Sequence, residues 1–220
     1  VDRSRGLGDV YKRQVFKLAI FQDPATQNLF KWYDTDTDAY SLYQMTGQSV
    51  SLFGISYPNY TLIPSMATEL VETSTDNGDG TFSYTVPITE GYEWSDGNPI
   101  TAEDWVFTYN TAKGLPLLGQ WAAVWPSNCE VECVTNVEAV DAYTVKISFN
   151  YDPGLTGWQY GAALAPALSK AYWEQFATSR EDLLAVSGAE APVASAFVYD
   201  KIEQGAFSVS YTHLTLPTNA

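Results

Sequence analysis

Five carboxylates and one pair of thiols are the side chains whose types and spacing point most directly to chemistry. Glu90, Glu93, Asp96, Glu103 and Asp104 fall close together and could supply the acid and base of glycoside hydrolysis. Glu103 and Asp104 also follow Thr101 in T-A-E-D, where a helix N-terminus favours negative charge, so capping explains them without any reaction. Asp34, Asp36 and Asp38 alternate as D-T-D-T-D, which superficially suggests a calcium loop. Such a loop needs Gly at its sixth position and a bidentate Glu at its twelfth, and here those are Ala39 and Met45. An acidic turn or helix start is therefore expected there, with no metal and no cofactor.

Cys129 and Cys133 are spaced for a small disulfide loop, for two buried thiols, or for part of a metal site. The one histidine, His213, lies at the far C-terminal end. A zinc site thus lacks ligands nearby, and the disulfide leads. The same scarcity removes the usual base from any Ser or Cys nucleophile scheme, and no G-x-S-x-G or phosphate-cradling glycine loop is present. Covalent and phosphoryl-transfer enzymes are disfavoured. Trp32, Tyr33, Trp121, Trp125 and Trp158 have two readings, core or ligand cleft, and for any single one the core reading is favoured.

Those residues need a frame to hold them, and the chain is long enough to build one. It has 220 residues, 45% hydrophobic and 17% charged, with 26 acidic against 11 basic side chains and a net charge of -15. Disorder is disfavoured, and a field of that sign repels nucleic acid and anionic lipid surfaces. No apolar run is long enough to cross a bilayer as a helix.

Both ends read as foreign. Asp9 to Gln14 (DVYKRQ) and Ser208 to Leu214 (SVSYTHL) permit back-translations that are reverse complements of one another and look like the transposon end used in sequencing libraries. Residues 1–14 and 208–220 are therefore expected to be artefactual flanks, excluded from the fold.

Between them, Val15 to Phe21 reads as a buried strand closed by Asp23-Pro24. Leu70 to Ser74 and Thr81 to Ile88 alternate as strands about the turn-rich TDNGDG, predicting a hairpin. A helix is predicted from Thr101 to Gly114, with Trp105, Val106, Tyr109 and Ala112 at helical spacing. A second strand pair is expected over Val134 to Val140 and Thr144 to Phe149, then a loop over Tyr151 to Gly157, a helix around Lys170 to Phe176 and a short strand at Phe197 to Tyr199. Ser187 to Pro192 is expected to be the most flexible loop. Strands and helices mixed without strict alternation give a mixed α/β (α+β) class.

Gly91 to Asn110, GYEWSDGNPITAEDWVFTYN, closely resembles the W-S-D-G-x-P-[IVL]-T-A-E-D-x-V-F segment of the family 5 extracellular solute-binding proteins, the peptide-type receptors of ABC importers. Ile63 to Leu70 (IPSMATEL), Val137 to Phe149 (VEAVDAYTVKISF) and Leu164 to Lys170 (LAPALSK) extend the resemblance over nearly all of Val15 to Phe207. One departure is Ile88-Thr89-Glu90-Gly91, which lacks the basic residue of the family's L-R-x-G step.

The resemblance implies the N-terminal part of a bilobed, clamp-like receptor whose second ligand lobe is missing. Residues 15–47 and 161–207 would be part of the first ligand lobe, and residues 48–160 an inserted subdomain. Ligand contacts would fall near Trp32, Tyr33, Trp121 and Tyr160, whereas Trp94, Asp96 and Gly97 would be structural. The implied role is capture of a peptide-like or other polar solute for a membrane permease, without catalysis. Such a receptor would work as a monomer in the periplasm or outside the cell, possible lipid anchorage included. The rival reading is a secreted carbohydrate-active domain that stacks Trp and Tyr on sugar rings and uses paired carboxylates.

Overall fold

The computed structural model describes residues 15–16, 22–45, 47–125, 133–195, 197–203 and 207–212. Nine strands are described: β1 (Val15–Phe16), β2 (Phe53–Ile55), β3 (Leu62–Pro64), β4 (Thr75–Asp76), β5 (Phe82–Pro87), β6 (Val134–Asp141), β7 (Thr144–Phe149), β8 (Phe197–Glu203) and β9 (Phe207–Thr212). Six α-helices accompany them: α1 (Leu29–Asp34), α2 (Ala39–Gln44), α3 (Ala102–Gly114), α4 (Gln120–Val124), α5 (Lys170–Trp173) and α6 (Arg180–Ala185). The mixed α/β class is as expected.

The largest sheet is antiparallel, in the order β4-β5-β7-β6. Val145, Ile147 and Phe149 alternate along β7 and are fully buried. Across the ladder Tyr84 pairs with Ile147 and Val86 with Val145, so one face of the sheet is apolar. Asp141 shapes the β6–β7 turn, its carboxylate accepting from the Tyr143 amide at 2.8 Å and the Thr144 hydroxyl at 3.0 Å. The β4–β5 hairpin is shorter than its sequence pattern predicts. Leu70 to Ser74 form no strand, and pairing starts only at Thr75 with Ser83 and Asp76 with Phe82.

Helix α3 begins where T-A-E-D predicts. The Asp104 carboxylate reaches back to the Thr101 amide at 3.0 Å, and the helix packs its Trp105, Tyr109 and Ala112 face into the core. Trp158 joins the β2–β3 hairpin to the large sheet. Its indole stacks on Tyr84 at 3.7 Å and 6°, meets Phe53 edge-on at 6.0 Å, and donates to the Val71 carbonyl at 2.8 Å. This tryptophan sits on a π-helical turn, Leu155–Gln159, where the sequence predicted only a loop through Gly157.

A separate three-stranded sheet, β1-β9-β8, joins the two ends of the described chain. Val15 pairs with Tyr211 and Phe16 with Ser210, so β9 includes residues 208–212 of the stretch expected to be a foreign flank. Residues 1–14 and the rest of Val15 to Phe21 lie outside the described residues. The loop over Ser187 to Pro192 is held in place: the Gly188 carbonyl accepts from the Gln48 side-chain amide at 3.0 Å, and Ala191 is buried. Cys133 is disulfide-bonded, and the one other cysteine in the sequence, Cys129, lies outside the described residues.

Candidate functional site

The site is assembled on α1, a short helix whose start is fixed by Asn28. That fully buried side chain accepts from the Lys31 amide at 3.1 Å, and its amide group donates to the Leu183 and Val186 carbonyls at 2.7 and 2.9 Å. One residue thus caps the N-terminus of α1 and satisfies orphan carbonyls at the end of α6. Phe30 then points into the core, stacked on Trp121 at 5.3 Å and edge-on to Trp173 at 5.3 Å.

Three of the four predicted contact residues meet at the C-terminal end of α1: Trp32 and Tyr33 on that helix and Trp121 on α4. Tyr33 lies 4.8 Å from Trp121 and 4.8 Å from Trp32 between ring centres. The two indoles are spoken for. Trp32 donates to the Asp38 carbonyl at 2.6 Å and Trp121 to the Phe30 carbonyl at 3.0 Å, and both side chains are buried. Tyr33 differs: it is only partly buried, and its hydroxyl has no hydrogen-bond partner among the described residues. Burial pushes its phenol up from the ordinary value, so it remains an O–H donor at neutral pH.

Tyr160 makes no ring contact with these three. It is half exposed, and its hydroxyl donates to the Tyr60 carbonyl at 3.1 Å beside the β2–β3 turn.

Two features that sequence reasoning missed, Asp34 and Gly119, hold the trio in place. Asp34, expected to be a solvated turn residue, has a fully buried carboxylate that accepts from the Leu118 amide at 2.6 Å and pairs with the Arg180 guanidinium. The D-T-D-T-D run therefore does three separate jobs: Asp34 is buried, Asp36 pairs with Lys31 at 2.9 Å, and Asp38 caps α2 through the Tyr40 and Ser41 amides. Burial raises the Asp38 pKa, but its bonds from Ser41 and Tyr40 outweigh that and leave it below the ordinary value. Gly119 packs its Cα against the α1 backbone, where a Cβ would stand 2.6 Å from the Tyr33 carbonyl oxygen. Its glycine identity and its place before a Trp were the only signals available in the sequence.

The candidate acid and base pair is not arranged for a reaction. Glu103 is exposed and pairs with Lys170 at 3.0 Å, whereas Asp104 is buried and accepts from the Lys170 amide at 2.8 Å. Burial raises the Asp104 pKa against the opposing effect of those donors. No group of three or more metal-ligating side chains is gathered among the described residues. An open groove of about 470 Å³ lies elsewhere, lined by Pro87, Glu90, Asp141 and Tyr143 among others.

Residues 61–207 match the family described as bacterial extracellular solute-binding proteins, family 5 Middle. The chain belongs to that family. Among solved structures, this family 5 chain is similar to a periplasmic oligopeptide-binding protein of an oligopeptide ABC transporter from Thermotoga maritima, at 21% identity and a TM-score of 0.61 over 84% of this chain and 31% of that one. The oligopeptide-binding protein AppA from Bacillus subtilis, in complex with a nonapeptide, matches at 20% identity and 0.56, covering 84% of this chain and 34% of that one. NikZ from Campylobacter jejuni, in complex with Ni(L-His), matches at 19% identity and 0.57, covering 84% and 33%. At these identities the likeness shows the family 5 fold, and the chain spans about a third of the length of the structures it matches. A search of curated proteins found no match.

Proposed function

We propose that this chain is part of the solute-receptor subunit of an ABC importer, and that Tyr33, flanked by Trp32 and Trp121, contacts a peptide-like or other polar solute. The observation that carries the reading is the Tyr33 side chain, ordered by two aromatic neighbours with a hydroxyl left unpartnered among the described residues. A ring fixed by packing with one free polar group is what a site needs to bind without rearranging. Capture requires no chemistry and no cofactor. The oligopeptide-binding and Ni(L-His)-binding relatives support a solute of this polar class.

In this reading residues 15–47 and 161–207 belong to the first ligand lobe and residues 48–160 to an inserted subdomain. The sheets favour that division. Strands β2 to β7 all fall within 48–160, whereas β1 and β8 lie in the outer segments and pair with β9, which begins at Phe207 and runs on through residues 208–212. The receptor works as a monomer outside the cytoplasmic membrane, in free or lipid-anchored form, and delivers solute to a membrane permease once a second lobe closes on it.

The test is calorimetry on the full-length receptor with a pool of short peptides. Tyr33→Phe should weaken binding by about 3- to 10-fold through the lost hydroxyl, and Tyr33→Ala by more than about 10-fold. Unchanged affinity in the alanine variant would remove Tyr33 from the site. The chain described here, with one wall of the clamp, should bind the same peptides far more weakly than the full receptor does.

A further inference from the structure

The tip of the β2–β3 hairpin presents an aromatic surface that the solute site does not use. Tyr57 is 86% exposed, Tyr60 56% and Tyr160 51%. The Tyr57 and Tyr60 rings stand 6.0 Å apart at 81°, forming an open corner. Tyr60 has a backbone φ of 56°, a left-handed conformation that side-chain-bearing residues seldom adopt.

That conformation is held from two sides. The Tyr60 amide donates to the Ser56 carbonyl at 2.9 Å. Its own carbonyl accepts from the Gln159 side-chain amide at 2.8 Å and from the Tyr160 hydroxyl at 3.1 Å. Two segments distant in sequence therefore cooperate to fix a tyrosine in an uncommon conformation at the surface, and such over-determined positions concentrate where something binds.

The two segments that build the tip carry no formal charge. In a chain with 26 acidic and 11 basic residues, no Asp, Glu, Lys, Arg or His occurs from Ala39 to Thr68, nor from Pro153 to Ser169, the two segments that build the tip. Within these two segments an anionic or cationic partner finds no side chain to pair with. The groups on offer are aromatic faces, which pack on C–H surfaces, and the phenol and amide groups of Tyr57, Asn59 and Tyr60, which hydrogen-bond to neutral hydroxyls.

Size separates the remaining occupants. From the exposures given, the three rings offer on the order of 400 Å². A stable protein partner needs about 800 Å² on each side. A few sugar units of a neutral polysaccharide match the smaller area.

We propose that Tyr57, Tyr60 and Tyr160 form a surface site for neutral polysaccharide, separate from the Tyr33 cluster and independent of the solute reading. The test is electrophoresis of the chain through native gels containing glucomannan, xylan or hydroxyethyl cellulose, with anionic alginate as the charge control. Two variants probe the tip. Tyr57→Ala removes the most exposed ring, and Tyr60→Gly removes the second while keeping a residue at ease with positive φ. Circular dichroism checks that both remain folded.

Retardation in at least one neutral gel, absent in alginate and weakened about fivefold or more in both variants, is the expected result. Migration unaffected by all three neutral polymers would overturn the proposal. Equal retardation in alginate, or retardation unchanged in both variants, would overturn it as well.

Discussion

Replacing Asp104 with alanine is expected to lower the free energy of unfolding by about 3 kcal/mol, measured by urea denaturation. The carboxylate is 4% exposed and accepts three hydrogen bonds: from the Lys170 amide at 2.8 Å, the Thr101 amide at 3.0 Å and the Trp94 indole at 3.4 Å. These donors come from the W-S-D-G turn, the start of α3 and the start of α5, so one side chain fastens three segments. Alanine leaves three donors facing an apolar space, and each well-formed bond lost from a buried donor costs about 1–3 kcal/mol. The long indole contact adds least. Asparagine does little better, because its amide hydrogens would face backbone donors.

Glu103→Gln supplies the contrast. Glu103 is half exposed and pairs with a half-exposed Lys170, so the expected loss is below about 0.5 kcal/mol. A hydrolase using the pair would lose turnover with either change, whereas this fold loses stability with one.

The pH dependence follows from the direction of the Asp104 shift. Burial holds the folded pKa above the reference value of 3.8. A raised folded pKa means that the group favours the folded state most below the unfolded value, and that this contribution fades as pH rises through the folded value. The stability difference between the natural chain and Asp104→Asn should therefore be largest in acid and narrow toward neutrality. Urea midpoints taken below pH 3.8 and at neutral pH measure it. A difference that widens toward neutrality would mean that the three donors outweigh burial.

Gly119→Ala is expected to cost more than about 3 kcal/mol and to displace Tyr33, whereas Gly154→Ala should cost only about 1–2 kcal/mol. The two glycines occupy nearly the same backbone region: φ 60° and ψ -128° for Gly119, φ 51° and ψ -144° for Gly154. The backbone penalty of a Cβ is therefore similar at both. Around Gly154 that Cβ would meet nothing within 4 Å, but at Gly119 it would press into the Tyr33 and Asp34 carbonyl oxygens. The difference between the two variants isolates the close approach of α1 to the segment before α4. Near-ultraviolet circular dichroism should report the aromatic disturbance in the first variant only. Equal losses would show that backbone strain alone accounts for both.

Much of the stretch from β4 to β7 could be read from sequence because its signals are local. T-A-E-D places a cap and acidic first turn next to one another, and V-x-x-x-D-A-x-T-V puts the β6–β7 turn between two alternating runs. The aromatic trio was legible as candidates but not as an arrangement. What gathers Trp32, Tyr33 and Trp121 is the close approach at Gly119 and the burial of Asp34, and neither leaves a periodic trace. Asp34 sits in an acidic run that looks fully solvated, and its partner Arg180 is 146 residues away. Tyr160 failed to join the trio for a similar reason: its neighbour Tyr60 lies 100 residues earlier, on a hairpin whose short strands carry no clear alternation.

The fastening of α1 also sets an order of events during biosynthesis. Asn28 and Asp34 lie near the beginning of the chain, and their partners Leu183 and Arg180 are 155 and 146 residues further on. At about 5–20 residues per second, the ribosome delivers those partners on the order of 10 s after α1 itself. During that interval α1, at six residues, is too short to persist as an isolated helix, and Phe30 gains Trp121 only part-way through and Trp173 only near the end. The early segment therefore lacks its native fastenings until the late segment arrives, so docking of α1 comes late in folding.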